Sequence, residues 1–538
     1  MTPQEKRNQD ALSTDHLKDR LGAKTVTGGL VALAAQPVRF VIQFVSTAIM
    51  ARLLVPADFG LFAMAWSVLA FIGVFSNLGL GMATVQRETI DQNTVSGLFW
   101  LNLAFGAVLL PVTWALAPLA AWFFGDHRVV GLTVAMSFTL LFGALGAQHT
   151  AIMLRTMRYV PLQISGLIGH ISGAIAGILA AWVFKLDYWA LVVNAWAASI
   201  ATQLFIWSSC RWRPSMVRDW SGAVSGLRFG ATFTVANLID YFHRQLDNLI
   251  IGWRFGPAEL GIYSRAYQLM MLPIVLFNGN IASTVEPSLS RMQNEPERWR
   301  RAFLSALGLV TVLGAGAAAL FIASAHPLIV IIYGPNWAES ADVLRWLAIS
   351  SFSGVPVAAC NWIYMSLGRA KMMVIWMLVL TPVVGLSFLL AAPYGIVGIA
   401  AAFAIVTNLS LFPGFAIATY RTPVSFADTL KVVIPIGLAG GVAAWIGSMS
   451  IEPDATGLMA LFVSITTTGL AYVGLTVPLL MFGGPFKDLK DKSLKAAWQV
   501  IGVVSQALGR ARGRQTVEAK APAPEAVDPQ GESPSARI

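Results

Sequence analysis

Asn237, Asp240, His243, Arg244 and Asp247 lie inside an otherwise apolar stretch, FGATFTVANLIDYFHRQLDNLIIG, at successive spacings of 3, 3, 1 and 3. Steps of three and four put side chains on one face of an α-helix. Read as a helix, the stretch carries two carboxylates, an imidazole and a guanidinium along one stripe. Carboxyl and imidazole groups exchange protons or hold small cations, and a guanidinium offers a planar fork of donors that fits phosphate. A second stretch, 201 positions earlier, repeats the pattern with different groups: Gln36, Arg39, Gln43 and Ser46 align with Asn237, Asp240, Arg244 and Asp247. Arg39 has no acidic neighbour on its own stripe, so its counter-charge must come from another helix or from a ligand. Asp240 and Arg244 stand at i, i+4 and leave a blander reading open, in which they neutralise each other locally.

The elements that position these groups are membrane helices. The chain is 56% apolar and only 12% charged over 538 residues, with a mean hydropathy of +0.66; soluble chains carry about 25% charged residues. A spanning helix needs about 20 largely apolar residues. Segments of that kind fall at 27–51, 59–82, 96–124, 129–154, 162–184, 186–209, 229–252, 259–285, 302–325, 343–367, 371–392, 394–419, 429–449 and 457–482, about fourteen spans in all. Pro37, Pro111, Pro273, Pro356, Pro382, Pro413, Pro435 and Pro478 lie within them, so bent and interrupted helices are expected. The expected fold class is an all-α polytopic membrane protein. A charged group at the centre of a span costs about 2.5–3.5 kcal/mol on insertion scales, so each normally faces a polar cavity or a partner.

The offset of 201 extends beyond the stripes. Val55-Pro56-Ala57-Asp58-Phe59-Gly60-Leu61-Phe62 aligns without a gap to Gly256-Pro257-Ala258-Glu259-Leu260-Gly261-Ile262-Tyr263, and Asn77 falls on Asn278. A repeat in corresponding hydrophobic segments points to a transporter of two related halves. Proline in the first turn with an acidic residue behind it reads as helix-start chemistry. With the N-terminus inside, 29 of the 37 Lys and Arg fall on inner segments and 5 on outer loops, while Arg39, Arg244 and Arg265 stay at membrane depth. Such asymmetry places both termini in the cytoplasm and supports an even number of spans.

Several other residues have weaker claims. Arg265 lies a turn into the eighth span, where it can face a cavity mouth; Arg52 and Arg254 at span ends read as snorkelling groups. Gln148, His149 and His170 are candidates to line an N-terminal cavity. Cys210 and Cys360 are too few and too scattered for a disulfide framework or thiolate metal site and read as packing residues. No phosphate-binding GxxxxGK[ST] loop, HExxH helix or GxSxG elbow occurs, so neither ATP hydrolysis nor a metal, cofactor or covalent catalytic role is indicated. Residues 1–26 read as a polar cytoplasmic tail and 210–228 as a loop between the halves. Residues 486–514, with Lys487, Lys490, Lys492, Lys495, Arg510, Arg512 and Arg514, read as a helix on an anionic lipid surface, and 515–538 as a disordered tail. The net charge of +10 follows from this topology and lipid contact, so no nucleic-acid partner is implied.

The stretches LVPADFGLFAMAWSVLAFIGVFSNLGLG and LDNLIIGWRFGPAELGIYSRAYQL resemble the polysaccharide transporter (Wzx-type flippase) branch of the multidrug/oligosaccharidyl-lipid/polysaccharide exporter superfamily. The likeness covers most of residues 25–480 and is specific in the two repeat motifs. It implies two pseudo-symmetric six-helix lobes, 27–209 and 229–419, followed by two further helices within 420–485. It also implies transport of undecaprenyl-diphosphate-linked oligosaccharide across the inner membrane, for assembly of exopolysaccharide, O-antigen or lipopolysaccharide alongside polymerase proteins. With that cargo, Arg39 and Arg244 are expected on the diphosphate, Gln36, Gln43, Asn237 and Arg265 around the headgroup, and Asp240, His243 and Asp247 as proton or sodium couplers. A multidrug or cation antiporter, a peptidoglycan lipid II flippase and a non-transporting scaffold of the assembly machinery remain the alternatives.

Overall fold

The structure, a computed structural model, describes residues 3–12, 21–76, 80–87, 90–217, 219–274, 279–452 and 454–482, and within these the side chains of 3, 5, 6, 10, 21–34, 221–236, 279, 280, 283 and 482 fall outside the description. The surface helix expected at 486–514, the disordered tail expected at 515–538, and both Asn77 and Asn278 also lie outside it. Among the described residues the secondary structure is helical throughout. A short surface helix α1 (Pro3–Leu12) precedes α2 (Leu21–Leu53), α3 (Pro56–Ser76), α4 (Leu80–Gln86), α5 (Gln92–Phe124), α6 (Arg128–Arg155), α7 (Tyr159–Trp182) and α8 (Trp189–Ser209). The second half runs through α9 (Ser221–Phe255), α10 (Pro257–Pro273), α11 (Gly279–Arg291), α12 (Pro296–Tyr333), α13 (Ser340–Ala358), α14 (Cys360–Ser366), α15 (Ala370–Ala391) and α16 (Gly395–Thr419). Helices α17 (Phe426–Met449) and α18 (Leu458–Phe482) follow and pack on α12.

Ten stretches of described helix are long and apolar enough to cross a membrane, and the one at Ala370–Thr419 holds both α15 and α16. The other expected spans fall on α2, on α9 with its mid-helix charges, and on α10 and α11. Large apolar side chains face outward, Trp122 at 78% and Leu470 at 70% exposure among them, as a lipid-facing surface requires. Within the first half, α7 lays Gly169, Gly173 and Gly177 against α8. A Cβ on Gly173 would come within 2.8 Å of the Asn194 carbonyl oxygen, so the small residues at four-residue spacing let the two backbones approach.

The repeat is visible in the elements themselves. Helix α3 starts at Pro56 and α10 at Pro257. Asp58 Oδ2 accepts from the Val55 amide at 3.1 Å and so satisfies a free N–H at the helix start. Beyond each of them described helix resumes, as α4 and α11.

Loops are pinned by short polar devices. Asp91 caps α5 through the amides of Asn93 and Thr94, and Arg128 hydrogen-bonds the Asp126 carboxylate, holding that carboxyl below its usual range. The strand of chain between the halves is fixed to the first: Asn8 bonds both the amide and the carbonyl of Arg213, while Trp212 donates to Gln92 at 2.6 Å. Both cysteines are buried and unpaired, as packing residues should be. In the second half, Ser425 and Asp428 form a capping box at α17, and Asp428 pairs with Arg300 of α12 at 3.0 Å. Replacing Ser425 by Ala should lower unfolding stability by about 1 kcal/mol, read as a small fall in the thermal midpoint of the purified protein with α17 still in place.

Candidate functional site

Helix α2 presents its polar stripe to α7. The half-buried Arg39 guanidinium packs against Gly166, where an added Cβ would lie 2.9 Å from Cζ, and donates to the Gln163 carbonyl at 3.1 Å and to the Gln163 side-chain oxygen. These acceptors are neutral. They hold the cation in place without cancelling its charge, and Nε has no partner among the described residues. Gln43 is exposed and reaches Thr47 at 3.4 Å, Gln36 is half-buried, and Ser46 is buried.

The stripe on α9 divides into three. Arg244 donates to both Asp240 oxygens at 3.0 and 2.8 Å in an exposed pair, which is the local neutralisation that i, i+4 spacing allows. Exposed pairs contribute about 0–1 kcal/mol, so a competing anion opens this one at little cost. His243 turns toward α15 and its Nδ1 lies 3.2 Å from Thr381 Oγ1. Asp247 is buried and accepts from the Asn248 amide at 2.8 Å, with the Tyr263 and Tyr267 phenols of α10 beside it. Asn237 is exposed. Among the described residues no hydrogen bond or ion pair joins the α2 stripe to the α9 stripe; each is anchored within its own half.

What joins the halves is the repeated helix start. A Cβ on Gly60 would collide with the Pro257 carbonyl, and a Cβ on Gly261 with the Pro56 carbonyl. The two copies therefore cross backbone against backbone, each glycine seated on the other copy's proline. Trp337 reinforces the crossing: its Nε1 donates to the Ala51 carbonyl at 2.8 Å, and its ring stands edge-on to Phe59 with centroids 5.3 Å apart. Arg265 lies over the other side of this cluster, 4.7 Å from the Phe59 ring centre and 2.8 Å from Gln268 Oε1. Arg52 is no free snorkelling group; it donates to the Ile331 and Ile332 carbonyls at the C-terminal end of α12, where a cation is favoured. Further along, Tyr241 donates to the Ser67 carbonyl at 3.0 Å and the Ser67 hydroxyl reaches Gln245 at 3.2 Å.

The first half also holds a cavity of about 550 Å³ between α3, α4, α5, α6 and α8, open at the exposed Met82, Gly143 and Leu154. Sequence patterning did not single out its polar residues Ser76, Asn102, Thr139, Thr150 and Gln203. Gln148 and His149 sit beside it, both fully buried; Gln148 accepts from Thr84 at 2.7 Å, and His149 packs among Phe99, Trp207 and Trp212. His170 Nδ1 bonds the Gly166 carbonyl at 2.7 Å and is a packing residue of α7.

Membrane helices that carry an internal repeat and cross at its two helix starts define an α-helical membrane transporter fold. Solved structures of that form include a lipid II flippase MurJ in an inward closed conformation, with a TM-score of 0.67 at 13% identity over 84% of this chain and 99% of that one. An inward-facing multidrug resistance MATE family transporter matches at 0.60 and 14% identity over 73% of this chain and 96% of that one. Residues 49–342 match the family described as "Polysaccharide biosynthesis protein", and the chain belongs to that family. Its relatives include the teichuronic acid biosynthesis protein TuaB of Bacillus subtilis, 23% identical over 81% of this chain and 92% of the relative. The lipopolysaccharide biosynthesis protein WzxC of Escherichia coli is 22% identical over 61% of this chain and 67% of the relative. The succinoglycan biosynthesis transport protein ExoT of Rhizobium meliloti is 23% identical over 67% and 73%.

If the glycine crossing closes one end, Gly60→Leu or Gly261→Leu should force the halves apart there. Spin labels at Val55 and Tyr394, read by pulsed electron resonance, should then show a longer and broader distance distribution than in the parent. An unchanged distribution in a folded Gly60→Leu protein would remove the crossing as the closing contact.

Proposed function

We propose that this chain flips undecaprenyl-diphosphate-linked oligosaccharide across the bacterial inner membrane, supplying polysaccharide assembly on the far side. The family and the printed names of TuaB, WzxC and ExoT support the class of cargo. The observation that carries the chemistry is Arg39, a membrane-depth cation held by neutral acceptors on α7. A diphosphate brings the charge that Gln163 lacks. Arg244 supplies a second guanidinium once its exposed pair with Asp240 opens, and Gln36, Gln43, Asn237 and Arg265 serve the rest of the headgroup. The lipid tail stays in the bilayer.

Transport follows by alternating access. The charge distribution puts both termini in the cytoplasm; the glycine crossing then lies at the outer end, and the conformation described is closed to the outside. Asp240, His243 and Asp247 serve as the proton- or sodium-coupling groups, because their charge state changes the field around the cargo site. Lobes of 27–209 and 229–419 rock so that the crossing parts as the inner side closes, the basic 486–514 segment rests on anionic lipid, and polymerase and other assembly proteins take up the product. A cationic drug as cargo is opposed by Arg39, whose charge no acidic group offsets among the described residues. The chain is a carrier and needs no catalytic group.

In a strain lacking its own copy, the parent gene should restore surface polysaccharide. Arg39→Gln, at equal protein abundance, should cut it by about 10–100-fold, the equivalent of one charge-assisted hydrogen-bonding partner at roughly 1.5–3 kcal/mol. Arg39→Lys should fall in between, keeping charge and losing the fork. Full export by Arg39→Gln would remove the arginine from the cargo site.

A further inference from the structure

The cavity inside the first lobe has a composition of its own. Of the described residues lining its 550 Å³, none is charged, and nearly half are glycine or alanine. Its volume lies within the range of small-ligand pockets, roughly 300–1,000 Å³, and far above the ~30 Å³ share of one water. Asn102, from α5, keeps only 8% of its surface exposed, and its amide nitrogen has no partner among the described residues. Gln203, from α8, lines the same space with a buried side-chain oxygen that is equally without a partner. Both of those atoms are packed out of reach of a water molecule, so an occupant meets the remaining surface of the two amides and the hydroxyls of the wall.

The glycines of the wall divide into two sets. At Gly106, an added Cβ would come within 2.9 Å of Ala144, and at Gly146 it would collide with the Gln203 side chain; packing demands glycine at both. At Gly73 and Gly143 an added Cβ would meet nothing within 4 Å. Packing against neighbours does not explain those two, and what their missing side chains leave is room. The amide side chains of Asn102 and Gln203 on the wall suit a hydroxyl, which gives one hydrogen and accepts another. Thr139, Thr150 and Ser76 add hydroxyls around them. An uncharged wall excludes the diphosphate and any cation as occupants, because neither would find a counter-charge.

We propose that this cavity is a subsite for an uncharged, hydroxyl-rich sugar unit of the cargo, separate from the arginines that meet the phosphates. Helix α4, which forms one wall, also packs on α9 of the other lobe, so an occupant bears directly on the boundary between the lobes. The assignment rests on the flippase reading for the identity of the sugar, and on the cavity alone for its location.

A photoreactive benzophenone residue at Leu140 on the cavity wall, and at Leu470 on α18 as a control, would be irradiated in the native host fed a labelled sugar. Sugar-bearing adducts are expected at Leu140 and not at Leu470; absence of adduct at Leu140 overturns the subsite. In the complementation strain, Gly143→Trp, which fills the space, and Asn102→Leu, which removes the unpartnered amide, should each lower surface polysaccharide at least 10-fold at unchanged abundance and thermal midpoint. Gly469→Trp, facing open space on α18, should not. Parental export by both cavity variants overturns the subsite while leaving the flippase reading intact. Failure of the parent gene to restore export overturns the flippase reading, and the Leu140 adduct then decides the sugar site by itself.

Discussion

The reciprocal seating of Gly60 on the Pro257 carbonyl and of Gly261 on the Pro56 carbonyl is the contact on which the geometry depends. It has the logic of a two-fold interface: the same patch on each half meets its own copy, so one short motif, duplicated, builds both sides. Only glycine allows the approach. Contacts of Cα–H to carbonyl oxygen are worth about 0.5–1 kcal/mol each, so the crossing is specific in shape and weak in energy. Trp337 on Ala51 and Arg52 on the end of α12 add to it without exceeding a few hydrogen bonds. A seal of that kind fixes where the lobes meet and still lets them part.

On this symmetric scaffold the charges are deliberately unequal. Arg39 and Asp240 occupy equivalent positions in the repeat, yet one is a lone cation on neutral acceptors and the other is half of an ion pair. The local Asp240–Arg244 pairing does not remove Arg244 from use, because an exposed pair has little to lose when an anion competes for it. The buried Asp247, against the phenols of α10, belongs to a drier environment than either. One half thus offers fixed positive charge and the other a set of groups whose charge can change.

Much of this was legible in the sequence because the bilayer imposes a length. The apolar runs had to be about 20 residues long, and that length marked α2, α9 and the stretch of α10 and α11 as expected spans despite their polar content. The i, i+4 spacing announced the Asp240–Arg244 pair. Arg39's acceptor was not readable, since Gln163 lies 124 positions away in sequence and an ordinary glutamine carries no mark of its neighbour. Proline and acid after a turn indicated a helix start at Pro56 and Pro257, but not that the two starts would touch. The sugar-sized cavity was the least visible feature, because its wall is made by side chains that are absent: Gly73 and Gly143 read as unremarkable apolar positions until the space beside them is known.

Helix α9 is where binding and closure meet. Asp240 and Arg244 form their pair on one side of it, while the adjacent residues Tyr241 and Gln245 hold α3 of the other lobe through Ser67. Gly252, farther along the same helix, packs against Phe124 of α5, where an added Cβ would come within 2.8 Å. A ligand moves a conformational equilibrium only by the difference in its affinity for the two states. An anion that draws Arg244 away from Asp240 alters the helix whose neighbouring residues bind α3, so its affinity depends on whether those inter-lobe contacts are made. A cargo bound to Arg39 alone, on the first lobe's internal α2–α7 pair, has no such lever. Under the proposed function the two arginines therefore do different work: Arg39 supplies charge to hold the headgroup, and Arg244 couples its presence to the position of the lobes.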